Sequence, residues 1–251
     1  MIINNISKYI HINKLTYFFI LISFFMASFR QVFYIFFLII IHEIGHFLAA
    51  RLFDIELDKI YIYPLGGIAK FFIPYNYSRL KELIILINGP LFQELSKVLL
   101  VKLFPQHTNI ITIYHYGILL FNLLPIYPLD GGKILNIFLS FIEPYKKSLE
   151  TTIKVSYLIV LFLILINLKN IKINTIVMSL FLIYKIYLEN KKIDIRYEAF
   201  LLERYLNQYR FNKSKIINNS NNFYKNRRHL IKNGGEYTLE YDYLKKKYQK
   251  S

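Results

Sequence analysis

The chain has 251 residues, 55% of them hydrophobic and only 19% charged, a balance too apolar for an ordinary water-soluble domain. It carries a formal net charge of +16 and no cysteine, which excludes disulfides and cysteine-based metal sites. His, Asp and Glu remain as ligands for any transition metal. From Glu189 onward there are 15 Lys/Arg against 7 Asp/Glu, close to the whole-chain ratio of 32 to 16, so the C-terminal part is no special nucleic-acid patch. Positive charge in such a chain belongs in cytoplasmic loops, beside anionic lipid.

A membrane-crossing helix needs roughly 20 mostly apolar residues, and several such runs occur in chain order. Leu15 to Phe29 follows Lys8 and Lys14 and has the look of a secretory signal. No A-x-A cleavage site follows it, so it reads as an uncleaved first transmembrane helix. Val32 to Phe53 is the second span, apolar except for His42, Glu43, His46 and Arg51. The polar segment Asp54 to Lys81 contains IYIYPLGGIAKFFIPY, which has strand composition around Gly66 and Gly67 and predicts a β-hairpin. Further helices are predicted over Leu83 to Phe104, Ile110 to Leu124, Val155 to Leu168 and Ile173 to Leu188, with a short apolar helix from Ile134 to Ile142. The polar remainder forms a short tail. Lys and Arg are richer on the side holding the hairpin, the 133–154 connection and the tail, which makes that side cytoplasmic. The expected fold is an all-α polytopic membrane protein. It has about six transmembrane helices, a small cytoplasmic β-hairpin, both termini in the cytoplasm, and a division into residues 1–190 and a tail of 191–251.

The second span carries the chemistry. In I-I-H-E-I-G-H, His42 and His46 are four residues apart, so on a helix both imidazoles face one side, one turn apart, and can hold one metal ion. Glu43 is placed to act as general base on a water at that metal. A carboxylate and two imidazoles in an apolar run are costly: a charge at the bilayer centre costs about 2.5–3.5 kcal/mol even on lenient scales, and such residues mark function. A hydrolytic zinc site needs a third protein ligand. A histidine ten residues after the first would supply it in soluble metzincins, but Leu52 stands there. The strongest remaining candidate is Asp130 in N-L-L-P-I-Y-P-L-D-G-G, where Pro125, Pro128 and the Gly pair break a helix. Alone, P-L-D-G-G is an ordinary turn at a helix end; beside a His pair lacking a third ligand, the ligand reading is preferred. Broken backbone is tolerated at membrane depth only beside protein or a water-filled cavity. His107 and His115 read as hydrogen-bonded or interfacial histidines, and Glu94 as an intramembrane carboxylate whose partner the sequence does not name. The hairpin offers an edge to which an extended substrate can add as a strand, a reading weighed evenly against a structural one.

H-E-I-G-H in an early span, N-G-P at Asn88 to Pro90 in a later one, and N-L-L-P-I-Y-P-L-D-G-G at Asn122 to Gly132 together resemble the site-2 protease family of intramembrane metalloproteases. The resemblance covers residues 15–190. It implies one Zn2+ per chain held by His42, His46 and Asp130, Glu43 as catalytic base, and Asn122 beside the substrate or developing oxyanion. It implies a membrane-associated protein as substrate, in a bacterial cell membrane. The gap from Asp54 to Lys81 is too short for the PDZ domain that many members carry. With R-Y-E-A-F-L-L-E-R-Y-L-N at Arg196 to Asn207, the chain looks like the stage IV sporulation FB-type branch. That branch implies a sigma-factor precursor (pro-sigma-K) as substrate, the membrane around the forespore, and inhibitory or regulatory membrane partners. Anti-sigma factors or signal-peptide remnants are the substrates implied by other branches, and a metal transporter or scaffold using the same His pair is the non-enzymatic alternative. Members of the FB-type branch continue into a CBS domain. Only residues 191–251 are left for one here, so a reduced CBS-like remnant is expected, without an intact nucleotide site.

Overall fold

The computed structural model describes residues 10–12, 16–17, 21, 29–55, 57–63, 66–71, 73–170, 172–218, 221–233 and 236–249. The predicted helix from Leu15 to Phe29 falls almost wholly outside these. The described chain is mostly helical: α1 Phe29–Leu52, α2 Arg79–Leu103, α3 Thr108–Leu123, α4 Asp130–Ile142, α5 Tyr145–Ile166, α6 Ile173–Lys191, α7 Ile193–Asn207 and α8 Glu240–Tyr248. Of these, α1, α2 and α5 are long and apolar enough to cross a membrane. The chain divides into two compact units, residues 1–73 with 80–122, and residues 74–79 with 123–251.

The first unit is built on α1, α2 and α3. Its core is Tyr34 and Leu38 from α1, Leu100 from α2 and Ile111 from α3, flanked by Phe37, Val101, Phe104, Tyr114 and Ile118. His107, in the turn between α2 and α3, accepts or donates a 2.6 Å hydrogen bond with the Tyr34 hydroxyl, a structural use of the kind expected for it. The predicted hairpin is present as β2 Leu57–Tyr63 and β3 Gly66–Phe71. Gly66 pairs with Tyr63 and Gly67 with Ile62, so both glycines open the second strand. A third strand, β1 Ile10–Ile12, runs parallel to β2 on its other side, which leaves β3 at the edge of a sheet ordered β1-β2-β3.

In the second unit, α5 begins at Tyr145, ten residues before the apolar run alone suggests. Pro144 precedes its first residue, where the ring's fixed φ suits a helix start. Tyr145, Ser148, Leu149, Thr152, Ile153, Ser156 and Val160 then make one buried stripe at helical spacing, hidden in the sequence by the lysines and glutamate between them. The small hydroxyls of that stripe bond back to carbonyls three or four residues earlier and also serve as glue. Asn136 of α4 donates to Ser148 at 3.3 Å and Thr152 at 3.2 Å, and the Tyr127 amide donates to Ser156 at 2.8 Å.

The region expected as a polar tail is folded. After α7, strands β4 Ser214–Ile217, β5 Arg228–Asn233 and β6 Glu236–Leu239 form a second sheet in the order β4-β5-β6, followed by α8. β4 and β5 are parallel, β5 and β6 antiparallel. Arg204 of α7 is the centre of this region, 3% exposed. Its guanidinium donates to Glu240 Oε1 at 2.6 Å, to the carbonyls of Arg227 and Tyr224, and to Asn76 Oδ1 at 2.7 Å, and it lies over the rings of Phe200 and Phe211. Glu203 accepts the amides of Tyr75 and Asn76, so α7 grips the 74–79 segment as well as the sheet.

Fully buried His229 completes the network. Its Nε2 accepts the Tyr224 amide at 2.9 Å, so its Nδ1 carries the hydrogen donated to Glu240 Oε2 at 2.9 Å. A second ring proton would meet the Tyr224 N–H. Burial holds the imidazole below its ordinary value. Burial pushes Glu240 upward, but the His229 hydrogen bond and the Arg204 charge outweigh it and hold the carboxyl below the usual carboxylate range. Both shifts mean that the unfolded region binds more protons than the folded one, so stability rises with pH. The His229 contribution is complete above about 6.5 and is lost as pH falls below it; that of Glu240 is lost below about 4.5.

The protection of residues 228–248 in the detergent-solubilised chain, measured by hydrogen exchange and corrected for the pH dependence of intrinsic amide exchange, should therefore fall between pH 7 and pH 5. Protection that is constant over that interval would contradict the buried neutral His229. Replacing Arg204 by Met leaves Glu240 buried without its cation, at a cost of about 3–5 kcal/mol, and should open this region to limited proteolysis at neutral pH.

Candidate metal centre

α1 runs 24 residues and carries the motif in its second half. Nine of its residues are buried, among them His42, Gly45 and His46. His42 is 1% exposed and His46 5%, so both imidazoles have lost their water. Each is instead hydrogen-bonded to α2. The His42 Nδ1–H donates to the side-chain carbonyl of Gln93 at 2.9 Å, and the His46 Nδ1–H donates to the backbone carbonyl of Ile85 at 2.9 Å. Both acceptors can only accept, which fixes both neutral rings in the Nδ1–H form. Their Nε2 lone pairs then point the same way, 3.1 Å apart. Two nitrogens on a tetrahedral zinc, each at about 2.05 Å, stand about 3.3 Å apart. The pair therefore has the donor type and spacing of two metal ligands.

The closeness of α1 and α2 depends on two glycines. A Cβ on Gly45 would lie 2.4 Å from the Asn88 carbonyl oxygen. A Cβ on Gly89 would lie 2.3 Å from His46 Nε2 and 2.9 Å from His42 Nε2. Gly89 thus keeps open the space into which both lone pairs point, and small residues let the two backbones meet. Pro90, inside α2, removes one backbone donor immediately beyond it.

Glu43 follows His42 on α1 and is half-buried; Asn122 lies in the last turn of α3, also half-buried. In the second unit Asp130 opens α4, 6% exposed, with Lys133 Nζ 3.0 Å from its Oδ1. A carboxylate in the first turn of a helix is favoured by the exposed amides there. Three buried side chains among the described residues each offer one atom suited to a metal ion: His42 and His46 in the first unit, Asp130 in the second.

Gln93 was not among the residues singled out from the sequence. Its signal was present, as an uncharged polar residue in an otherwise apolar span. His115, read as hydrogen-bonded, is fully buried on α3. Its Nε2 lies 2.7 Å from the Glu94 carboxylate, which also receives Lys97 Nζ at 3.0 Å, and these are the partners of Glu94 that the sequence did not name.

Residues 31–109 and 102–167 match the model of peptidase family M50. The stage IV sporulation protein FB of Bacillus subtilis is 31% identical over 176 residues, 67% of this chain and 61% of that protein. A zinc metalloprotease of Methanocaldococcus jannaschii is 28% identical over 166 residues, 62% of this chain and 48% of that protein. The chain thus spans less than two thirds of the length of either relative. Among solved structures, the site-2 protease from Methanocaldococcus jannaschii aligns with a TM-score of 0.57 at 23% identity, covering 72% of this chain and 89% of that one, a likeness of fold. The matched segments run from α1 into α5 and include both motif histidines, Gly89 and Asp130, so the chain belongs to peptidase family M50, the site-2 protease family.

Proposed function

We propose that this protein is an intramembrane zinc metalloprotease that hydrolyses a peptide bond of a membrane-associated protein near the cytoplasmic face. The observation that carries this reading is the pair of buried imidazoles on α1, each pinned through Nδ1, with Nε2 lone pairs 3.1 Å apart. Two imidazoles pinned through Nδ1 with their Nε2 atoms this close are a donor pair of the type and spacing that a metal ion takes. Family membership and the relative named as a zinc metalloprotease make zinc the metal of this reading.

His42, His46 and Asp130 are the protein ligands in this reading, an arrangement of three that leaves one position open for chemistry. Zinc, when bound, supplies a Lewis acid that polarises the scissile carbonyl and eases ionisation of the attacking water. Glu43 takes the proton of that water and passes it to the departing amine. The Asn122 amide donates to the oxygen on which charge develops. The outer strand β3, with Gly66 and Gly67 at its start, takes the unwound substrate as an added strand.

About six membrane spans with both termini in the cytoplasm suit the charge distribution, with residues 1–190 as the protease region and 191–251 as a cytoplasmic region. Sheet β4-β5-β6 and the helix after it support a folded, reduced CBS-like unit. The 31% identity to stage IV sporulation protein FB supports a sigma-factor precursor as substrate and regulation by membrane partners in a sporulating bacterium.

Co-expression with pro-sigma-K tests both levels. The wild type should cleave it, and Glu43→Gln should cut about 100- to 10,000-fold more slowly while binding zinc normally. Cleavage of another membrane substrate in place of pro-sigma-K would move the chain to a different branch. Function undiminished in Glu43→Gln would favour a metal transporter or scaffold. Asp130→Asn should lower zinc retention during dialysis against a chelator. Gly89→Ala should abolish zinc uptake, since the added methyl fills the space between the two Nε2 atoms; one zinc per chain in that variant would overturn the assignment.

A further inference from the structure

His42 and His46 are held by different means. The acceptor for His46 is the main-chain carbonyl of Ile85, which belongs to the backbone of α2 whatever side chain stands there. The acceptor for His42 is a side chain, Gln93, eight residues further along α2 and on the same face as Ile85 and Gly89. Gln93 is 0% exposed. Its carboxamide has one acceptor end and one donor end, and which end meets His42 depends on what holds the other. The donor end reaches α3, where Nε2 donates to the His115 backbone carbonyl at 3.0 Å. A carbonyl can only accept, so the amide nitrogen must face it and the amide oxygen must face His42.

We infer that Gln93 is a positioning residue of the metal centre, whose side-chain amide, itself set by the His115 carbonyl, fixes the ring orientation and tautomer of His42. This rests on the zinc reading above. The His42 Nδ1 meets an acceptor, so it carries the hydrogen, and the lone pair is left on Nε2, where the metal binds. A ring flip or the other tautomer would leave the buried Gln93 oxygen without a donor, which penalises the wrong arrangement. The His115 ring is in turn braced at its far nitrogen by Glu94, 2.7 Å away, and Glu94 by Lys97. The support for His42 therefore runs through the Gln93 side chain to the backbone of α3. It holds a ligand in place with a neutral group at the point nearest the metal.

The test compares the full-length wild type with Gln93→Leu, Gln93→Met and Gln93→Glu in detergent, by chelator competition for zinc and by the visible spectrum of the cobalt(II)-substituted protein. Leu and Met remove the acceptor; Glu keeps an oxygen for the His42 hydrogen at the same reach. The expected result is a 10- to 100-fold loss of zinc affinity in Gln93→Leu and Gln93→Met, with an altered cobalt spectrum, and a smaller loss in Gln93→Glu, which keeps the acceptor for His42 but has no donor for the His115 carbonyl. Gln93→Met keeps the bulk of the side chain, so a cobalt spectrum altered at full metal loading separates positioning from packing. Unchanged zinc affinity in a folded Gln93→Met protein, or equal losses in Glu and Met, would overturn the inference. His42→Ala is the control: if it and the wild type both bind no zinc, the metal reading itself falls, whereas zinc binding lost only in His42→Ala removes the Gln93 role and leaves the metal site standing.

Discussion

Two buried imidazoles on α1 stand with their Nε2 atoms 3.1 Å apart. The α1–α2 contact imposes that arrangement. Each ring has one nitrogen committed to an acceptor on α2, and the glycines at positions 45 and 89 bring the backbones close enough for those bonds to form. A single residue with a Cβ at either position would separate the helices or fill the space between the rings. The rest of the first unit follows from the same contact. Tyr34, Leu38, Leu100 and Ile111 pack along the same helices farther from the motif and keep them together. His115 on α3 closes the arrangement from the far side of Gln93.

How much of this could be read from residues alone depends on the range of the interaction. His42 and His46 are one helical turn apart, so their convergence is a property of the helix and needs no tertiary information. Asn88-Gly89-Pro90 is visible in the sequence as part of the family resemblance, but only the packed structure shows that the missing Cβ is the space facing both nitrogens. Gln93 lies 51 residues from His42, and nothing local to either predicts their pairing. A polar residue in an apolar span was the one available sign, and it was overshadowed by the charged Glu94 beside it. Glu94 meets the His115 ring and Lys97.

The elements beyond the apolar spans were harder to read for a different reason. Helices α1 to α4 and α6 announce themselves by hydropathy, within a few residues of their observed ends. The first part of α5 does not, because its buried stripe alternates with lysines and is made partly of Ser and Thr. The strands β4, β5 and β6 are four to six residues long, with Lys, Arg and Asn in the first two and Glu at the start of the third. Period-two alternation cannot be recognised over so few residues in a chain with this composition. What organises them is buried polar chemistry, with Arg204, Glu240 and His229 satisfying one another and the surrounding carbonyls. Buried networks of this kind stabilise only when every member is paired, which makes them specific to one arrangement and invisible to hydropathy.

The two polar networks of the protein illustrate opposite solutions to burial. Around Arg204, charge is matched by charge: burial holds the His229 imidazole below its ordinary value, and the His229 hydrogen bond and the Arg204 charge hold the Glu240 carboxyl below its own against burial. Around His42, the nearest partner is a carboxamide, and the carboxylate of Glu94 is set back behind His115. A carboxylate directly on the Nδ1–H would make the imidazole a stronger donor to a metal but would place another anion in an apolar helix contact. A carboxamide gives up some of that basicity and keeps the directionality. In the proposed ligand set Asp130 already brings one negative charge, so two neutral imidazoles leave the centre with net positive charge. That favours polarisation of a substrate carbonyl, the demand that peptide hydrolysis places on it.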